Sequence, residues 1–264
     1  MSSFNKLEYE LYALLVINKF LPDLVPLKGT LKGESPDWQN YSSDFGIEVV
    51  RAESKADGDA KAFSNEYLGK PVNTIPKKRL KKHEKRITVS QEQTLSSVEM
   101  YSFYGRLESD DPRADSFFAK PVVDRCENKL KLLNGNYSKF RRNILCVYLP
   151  FSMGKDEARI MYKCYIIRAS QYNAIFTDLF FIGISSIIYI DGNKWIYYCD
   201  DFCAKKRTSI DQLVHTISAL PVCDEGKMLF DELKKYGIDL DEENEPISFS
   251  ERYTLYDLTK RSYK

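Results

Sequence analysis

Histidine is nearly missing from this chain: its 264 residues include two, His83 and His215. A Ser or Cys nucleophile with a histidine base therefore has little to draw on, and His215, inside the helix-like IDQLVHTISAL, reads as a structural residue with its hydrogen bonds satisfied. The six cysteines, at 126, 146, 164, 199, 203 and 223, contain no C-x-x-C pair, which disfavours a zinc site. No apolar run reaches the ~18 residues of a membrane span. The start, Met-Ser-Ser-Phe-Asn-Lys, lacks the apolar stretch and small-residue cleavage site of a secretory signal. The expectation is a cytoplasmic protein with reduced cysteines and no membrane partner. Neither G-x-x-x-x-G-K-[ST] nor G-x-G-x-x-G occurs, which counts against nucleotide-binding α/β folds, and there is no internal repeat.

What remains is an ordinary globular composition, 43% hydrophobic and 29% charged, long enough to bury a core without staples. The net charge of +1 neither demands nor forbids a polyanionic partner, because steering depends on where charges cluster. They cluster in KKRLKKHEKR, residues 77 to 86, which holds Lys77, Lys78, Arg79, Lys81, Lys82, Lys85 and Arg86 against one Glu. That stretch is either a solvated face or a set of phosphate contacts.

Hydrophobic spacing predicts an amphipathic first helix over NKLEYELYALLVINKFLPDL, stopped by Pro22. An edge strand with turns follows within 24 to 35. Pro36-Asp37-Trp38 and FGIEVVRA then read as adjacent strands joined by QNYSSD. From about 53 to 115 the chain is polar and poor in aliphatic residues, an insertion with room for one or two helices. Helical spacing returns in FFAKPVVDRCENKLKLLNGNY, with Val123, Cys126, Leu130 and Leu133 on one face. NILCVYLPF has the continuous apolar character of a strand buried on both faces. DLFFIGI, SSIIYID and KWIYYCD are further strands, the last two joined by Gly192-Asn193; SIDQLVHTISAL and DEGKMLFDELKKYG are helices. An acidic, irregular tail runs from 238 to 264. The order is that of one α/β domain, a central mixed sheet flanked by helices.

Glu48 stands out in the apolar run Gly46-Ile47-Glu48-Val49-Val50. Desolvating an unpaired carboxylate costs several kcal/mol unless a cation offsets it. Asp37 on the neighbouring strand would only add repulsion, and one of the two acids would take up a proton. A divalent cation between them resolves both problems, and such hard oxygen donors suit Mg²⁺ or Mn²⁺.

Pro36-Asp37, ten residues, then Glu48-Val49-Val50 resembles the signature of the PD-(D/E)XK nuclease superfamily, in a form close to "PDF … GIEVT". The resemblance implies a restriction-endonuclease-like core with the polar insertion after the catalytic strand. It also implies that Asp37, Glu48 and the Val49 carbonyl hold Mg²⁺, with Mn²⁺ as substitute. An acid on the first helix would assist there by holding a second ion or a water. Glu10 shares a helical face with Ala13, Leu14 and Ile17 and is the preferred candidate; Glu8 remains open, and Glu34 is a turn residue. The chain departs from the signature at its third position, where lysine is replaced by Val50. Some relatives carry the lysine on the following helix, in a pattern like K-x-x-K-L-N … Y, and ENKLKLLNGNY offers Lys129 on the flank of the buried face, with Lys131 on the outer side.

The implied activity is metal-dependent phosphodiester hydrolysis by an endonuclease, DNA favoured over RNA as partner, with Lys129 orienting or deprotonating the attacking water. A homodimer would suit cutting of both strands, although nothing in the sequence marks an interface. The alternative is a module that kept the fold and lost the chemistry, binding nucleic acid or a protein through an aromatic-rich surface drawn from 18 Tyr and 15 Phe.

Overall fold

The computed structural model describes residues 4–52, 55–98, 119–149, 155–183, 186–191, 195–199, 204–221, 229–240 and 254–257. The Gly192-Asn193 turn, residues 99–115 of the insertion and most of the acidic tail lie outside them. The chain forms two compact units, residues 1–52 with 123–264, and residues 53–122.

The larger unit begins with α1, Lys6–Phe20. Its first turn is closed by a capping box: the Glu8 N–H donates to Asn5 Oδ1 (3.0 Å) and the Asn5 N–H donates to Glu8 Oε2 (2.7 Å). The pattern predicts a one-faced amphipathic helix, but every residue from Tyr9 to Phe20 is buried. The reason is that α1 packs against both the sheet and α6 (Ala204–Ser218). A helix covered on all sides must satisfy its polar residues internally, and Asn18 donates to the Val25 carbonyl at 3.0 Å.

Eight strands make one mixed sheet in the order β1 (Leu31–Lys32), β2 (Trp38–Asn40), β3 (Phe45–Arg51), β6 (Arg142–Tyr148), β7 (Asp178–Ile182), β8 (Ile187–Asp191), β9 (Trp195–Cys199), β10 (Thr254–Asp257). β3, β6 and β7 run parallel, and all other pairs are antiparallel. The parallel centre explains why FGIEVV and NILCVY read as continuous apolar runs. Ile47, Val49, Ile144, Cys146, Phe180 and Ile182 join the core under α1. Strand alternation turns Glu48, Val50, Leu145, Val147, Leu179 and Phe181 to the opposite face, and these are buried too.

On that face α4, Ala119–Gly135, buries Val123, Cys126, Leu130 and Leu133. The sequence pattern does not foreshadow α5, Lys155–Ala169, whose buried positions include Tyr162, Cys164 and Tyr165 rather than an aliphatic stripe. Nor is the 238–264 stretch wholly irregular, since β10 lies inside it. Cys126, Cys146 and Cys164 are buried and form no disulfide, and no helix among the described residues is long and apolar enough to cross a membrane.

The smaller unit is more ordered than its polar composition suggests. Helices α2 (Lys55–Tyr67) and α3 (Lys77–His83) and the hairpin of β4 (Ile87–Val89) with β5 (Leu95–Val98) enclose Phe63, Tyr67, Ile75 and Leu95. His83 is buried there, stacked on Phe63 at 4.5 Å.

Candidate metal centre

The β2–β3 hairpin brings Asp37 and Glu48 together. Its ladder pairs Asn40 with Phe45, Gln39 with Gly46 and Trp38 with Ile47, so one step further along Asp37 comes opposite Glu48. The Val49 N–H donates to Asp37 Oδ2 at 2.8 Å, fixing that carboxylate against the middle of β3. Gly46 is required for the approach: a Cβ there would meet Pro36 Cγ and Phe140 Cδ2, each at 2.6 Å. Only a residue without a side chain lets the Pro36-Asp37 turn lie against the strand.

Glu10 approaches from α1 and is 3% exposed, with Asp37 at 4% and Glu48 at 1%. The Trp38 indole N–H donates to the Glu10 carbonyl (2.9 Å), tying α1 to the residue after Asp37. Three acids so placed repel one another. Burial, then Glu48, then Glu10 push the Asp37 pKa from its ordinary 3.8 up to about 7, against the lowering effect of the Val49 N–H and Lys32. Burial also pushes Glu48 up, while Lys129 and the nearby Tyr137 phenol pull it down. Burial and the two carboxylates raise the Tyr137 phenol in turn.

Lys129, on α4, donates from Nζ to Glu48 Oε1, whereas Lys131 is exposed and pairs with Glu127 one turn back. Glu8 is engaged elsewhere: besides capping α1, its Oε1 lies 2.9 Å from Nδ1 of His215. That contact is also the structural role expected of His215. Glu34 is exposed.

Lys32 and Tyr137 are the members that sequence reasoning passed over. Lys32 Nζ lies 2.9 Å from Glu10 Oε2 and 3.9 Å from Asp37 Oδ1. The signal for it was its place in the edge strand before Asp37: β1 pairs Lys32 with Trp38, which sets it beside the Pro36-Asp37 turn. Tyr137 closes the very ENKLKLLNGNY stretch that carries Lys129.

No group of three or more His, Cys, Asp or Glu side chains that could hold a metal ion occurs among the described residues. The donors that fit a hard cation are two carboxylates and a backbone carbonyl. Glu48 Oε2 is buried and has no partner at hydrogen-bonding geometry among the described residues, with the Tyr137 phenol nearby, beside an Asp37 whose ionisation burial opposes. An orphaned carboxylate oxygen next to a second suppressed carboxylate is the environment a divalent cation relieves.

The basic stretch, in the other unit, is partly committed. Arg79 pairs with Glu66 and touches the Tyr67 hydroxyl, and Lys82 pairs with Asp59 at 2.7 Å. Lys77, Lys78, Lys81 and Lys85 are exposed on or just after α3, with Arg86 half-buried. No family model, curated protein or solved structure matches the chain.

Proposed function

We propose that the chain is a metal-dependent nuclease with a restriction-endonuclease-like core, acting on DNA in preference to RNA. The observation that carries this reading is the convergence of Glu48 and Lys129 beside Asp37, with one Glu48 oxygen left unpartnered. A lysine in place of Val50 would lie two residues on, on the same face of β3 as Glu48; Lys129 brings the same ammonium to the same carboxylate from α4.

Asp37, Glu48 and the Val49 carbonyl would hold Mg²⁺ or Mn²⁺. The ion, once bound, supplies positive charge at a scissile phosphate and a water of lowered pKa. The remaining work falls to side chains. Lys129, a quarter exposed while Glu48 is sealed, can present its ammonium to the attacking water and hold it in line. The Val49 N–H fixes the rotamer of Asp37, and Trp38 with Glu10 fixes the turn that carries it. Lys77, Lys78, Lys81 and Lys85 offer a salt-sensitive, sequence-blind grip on a phosphate backbone.

The test is incubation of the purified protein with plasmid, single-stranded DNA and RNA in Mg²⁺, Mn²⁺ or EDTA. The expected result is cutting of DNA that needs metal and disappears in Asp37→Ala and Glu48→Ala; cutting that survives either substitution overturns the assignment. A second reading, a fold-preserved binding module without chemistry, draws on one observation: Lys32 and Lys129 already pair with Glu10 and Glu48. Calorimetry separates the two, because the module takes up no Mn²⁺.

A further inference from the structure

Lys32 has no counterpart in the signature, yet it is held more firmly than any surface lysine needs to be. Its ammonium lies 2.9 Å from Glu10 Oε2, 2.9 Å from the Gly33 carbonyl and 3.3 Å from the Asp37 carbonyl. Those three acceptors match the three N–H donors of a lysine. Only 13% of its side chain is exposed, and the ammonium also stands over the Trp38 ring at 5.4 Å. It is a fixed positive charge between the helix acid and Asp37.

We infer that Lys32 is a built-in cation standing in for a second metal ion, so that this centre takes one divalent cation, on the Asp37–Glu48 side. The inference rests on the metal-centre reading above and concerns how many ions that centre admits. Both Glu10 oxygens are engaged, Oε2 by Lys32 and Oε1 by Lys6 at 3.5 Å, whereas the unpartnered carboxylate oxygen belongs to Glu48.

Charge balance leads to the same count. Glu10, Asp37 and Glu48, fully ionised, carry three negative charges, and the two ammoniums held away from solvent, Lys32 and Lys129, return two positive ones, Lys6 being 86% exposed and screened by water. The small residual negative charge is reversed to a small positive one by a single divalent ion. A second such ion would leave a large uncompensated positive charge among acids that are almost sealed from water, which buried sites do not tolerate. Lys32 is therefore a positioning residue: it holds Glu10 and the turn bearing Asp37 and keeps Glu10 from serving as a ligand.

The experiment counts Mn²⁺ per chain by calorimetry and by the electron paramagnetic resonance of free Mn²⁺, without nucleic acid. The native chain and Lys32→Arg are expected to bind one ion, Lys32→Met two, and the double variant Lys32→Met with Glu10→Gln one again. A count of two in the native chain, or one in Lys32→Met, overturns the inference and leaves the metal centre standing. A count of zero in the native chain overturns the metal centre and the inference with it. Should Lys32→Met fail to fold, Glu10→Gln alone decides: one ion is expected, and loss of that ion shows Glu10 to be a ligand and refutes the role given to Lys32.

Discussion

Lys129 and Glu48 are 81 residues apart in sequence and form an ion pair, α4 supplying the ammonium and the centre of β3 the carboxylate. The pair is lopsided, Lys129 at 24% side-chain exposure and Glu48 at 1%. Removing the lysine strands a sealed charge, while removing the glutamate strands an ammonium that can reach water. That asymmetry sets opposite expectations for the two substitutions.

Lys129→Met should destabilise the fold by about 2 kcal/mol near pH 8, below the ~3–5 kcal/mol of a fully buried pair because Lys129 is partly solvated. The cost should be smaller at pH 5 than at pH 8, because burial favours the protonated form of Glu48 and a lower pH favours it further. Urea unfolding at the two pH values checks the sign, and DNA cutting should fall by about a hundredfold or more.

Glu48→Gln should leave the metal-free fold as stable as the native one or more so, since it removes a buried charge and relieves the repulsion on Asp37. It should also abolish the rise in melting temperature that Mn²⁺ gives the native chain. Thermal melts with and without the ion read both effects.

Asp37 gives the centre a pH dependence with a definite sign. Its folded pKa, about 7, lies above the ordinary 3.8, so between those values the folded chain keeps a proton that the unfolded chain has released. This group's contribution to metal-free stability therefore falls as pH rises through that window and is level above about 7. A divalent ion must displace that proton, so Mn²⁺ affinity should rise about tenfold per pH unit until about pH 7 and then flatten. Calorimetric titrations across that range test the slope.

Gly46→Ala should cost about 1–3 kcal/mol, because its Cβ collides with Pro36 and Phe140 in a packed region. The displaced Pro36 carries Asp37 with it, so Mn²⁺ binding should weaken as well. By contrast, Glu8→Ala should lose about 1 kcal/mol of helix capping and leave metal binding and DNA cutting unchanged. Unfolding and Mn²⁺ titration of the two variants distinguish a site defect from a fold defect.

Much of this centre was legible in the sequence because hairpin arithmetic is simple. With Asn40 opposite Phe45, partner numbers sum to 85, and Asp37 must face Glu48. Lys129 was legible because helical spacing from Val123 and Cys126 sets it at the edge of the buried face. Lys32 was not, since a two-residue strand carries no periodicity and its role depends on a contact with Glu10, 22 positions earlier and on another element. The all-round burial of α1 escaped for a similar reason: what covers its outer side is α6, nearly 200 residues later. Among the described residues of the insertion, a small core gathers around Phe63, Tyr67, Ile75 and Leu95, side chains too widely spaced in the sequence to register as a pattern.

The most direct test is a crystal grown with Mn²⁺ and measured at the manganese absorption edge. The expected result is an anomalous peak about 2.2 Å from carboxylate oxygens of both Asp37 and Glu48. Asp37 and Glu48 carboxylates turned away from each other, with no peak between them, would contradict the account.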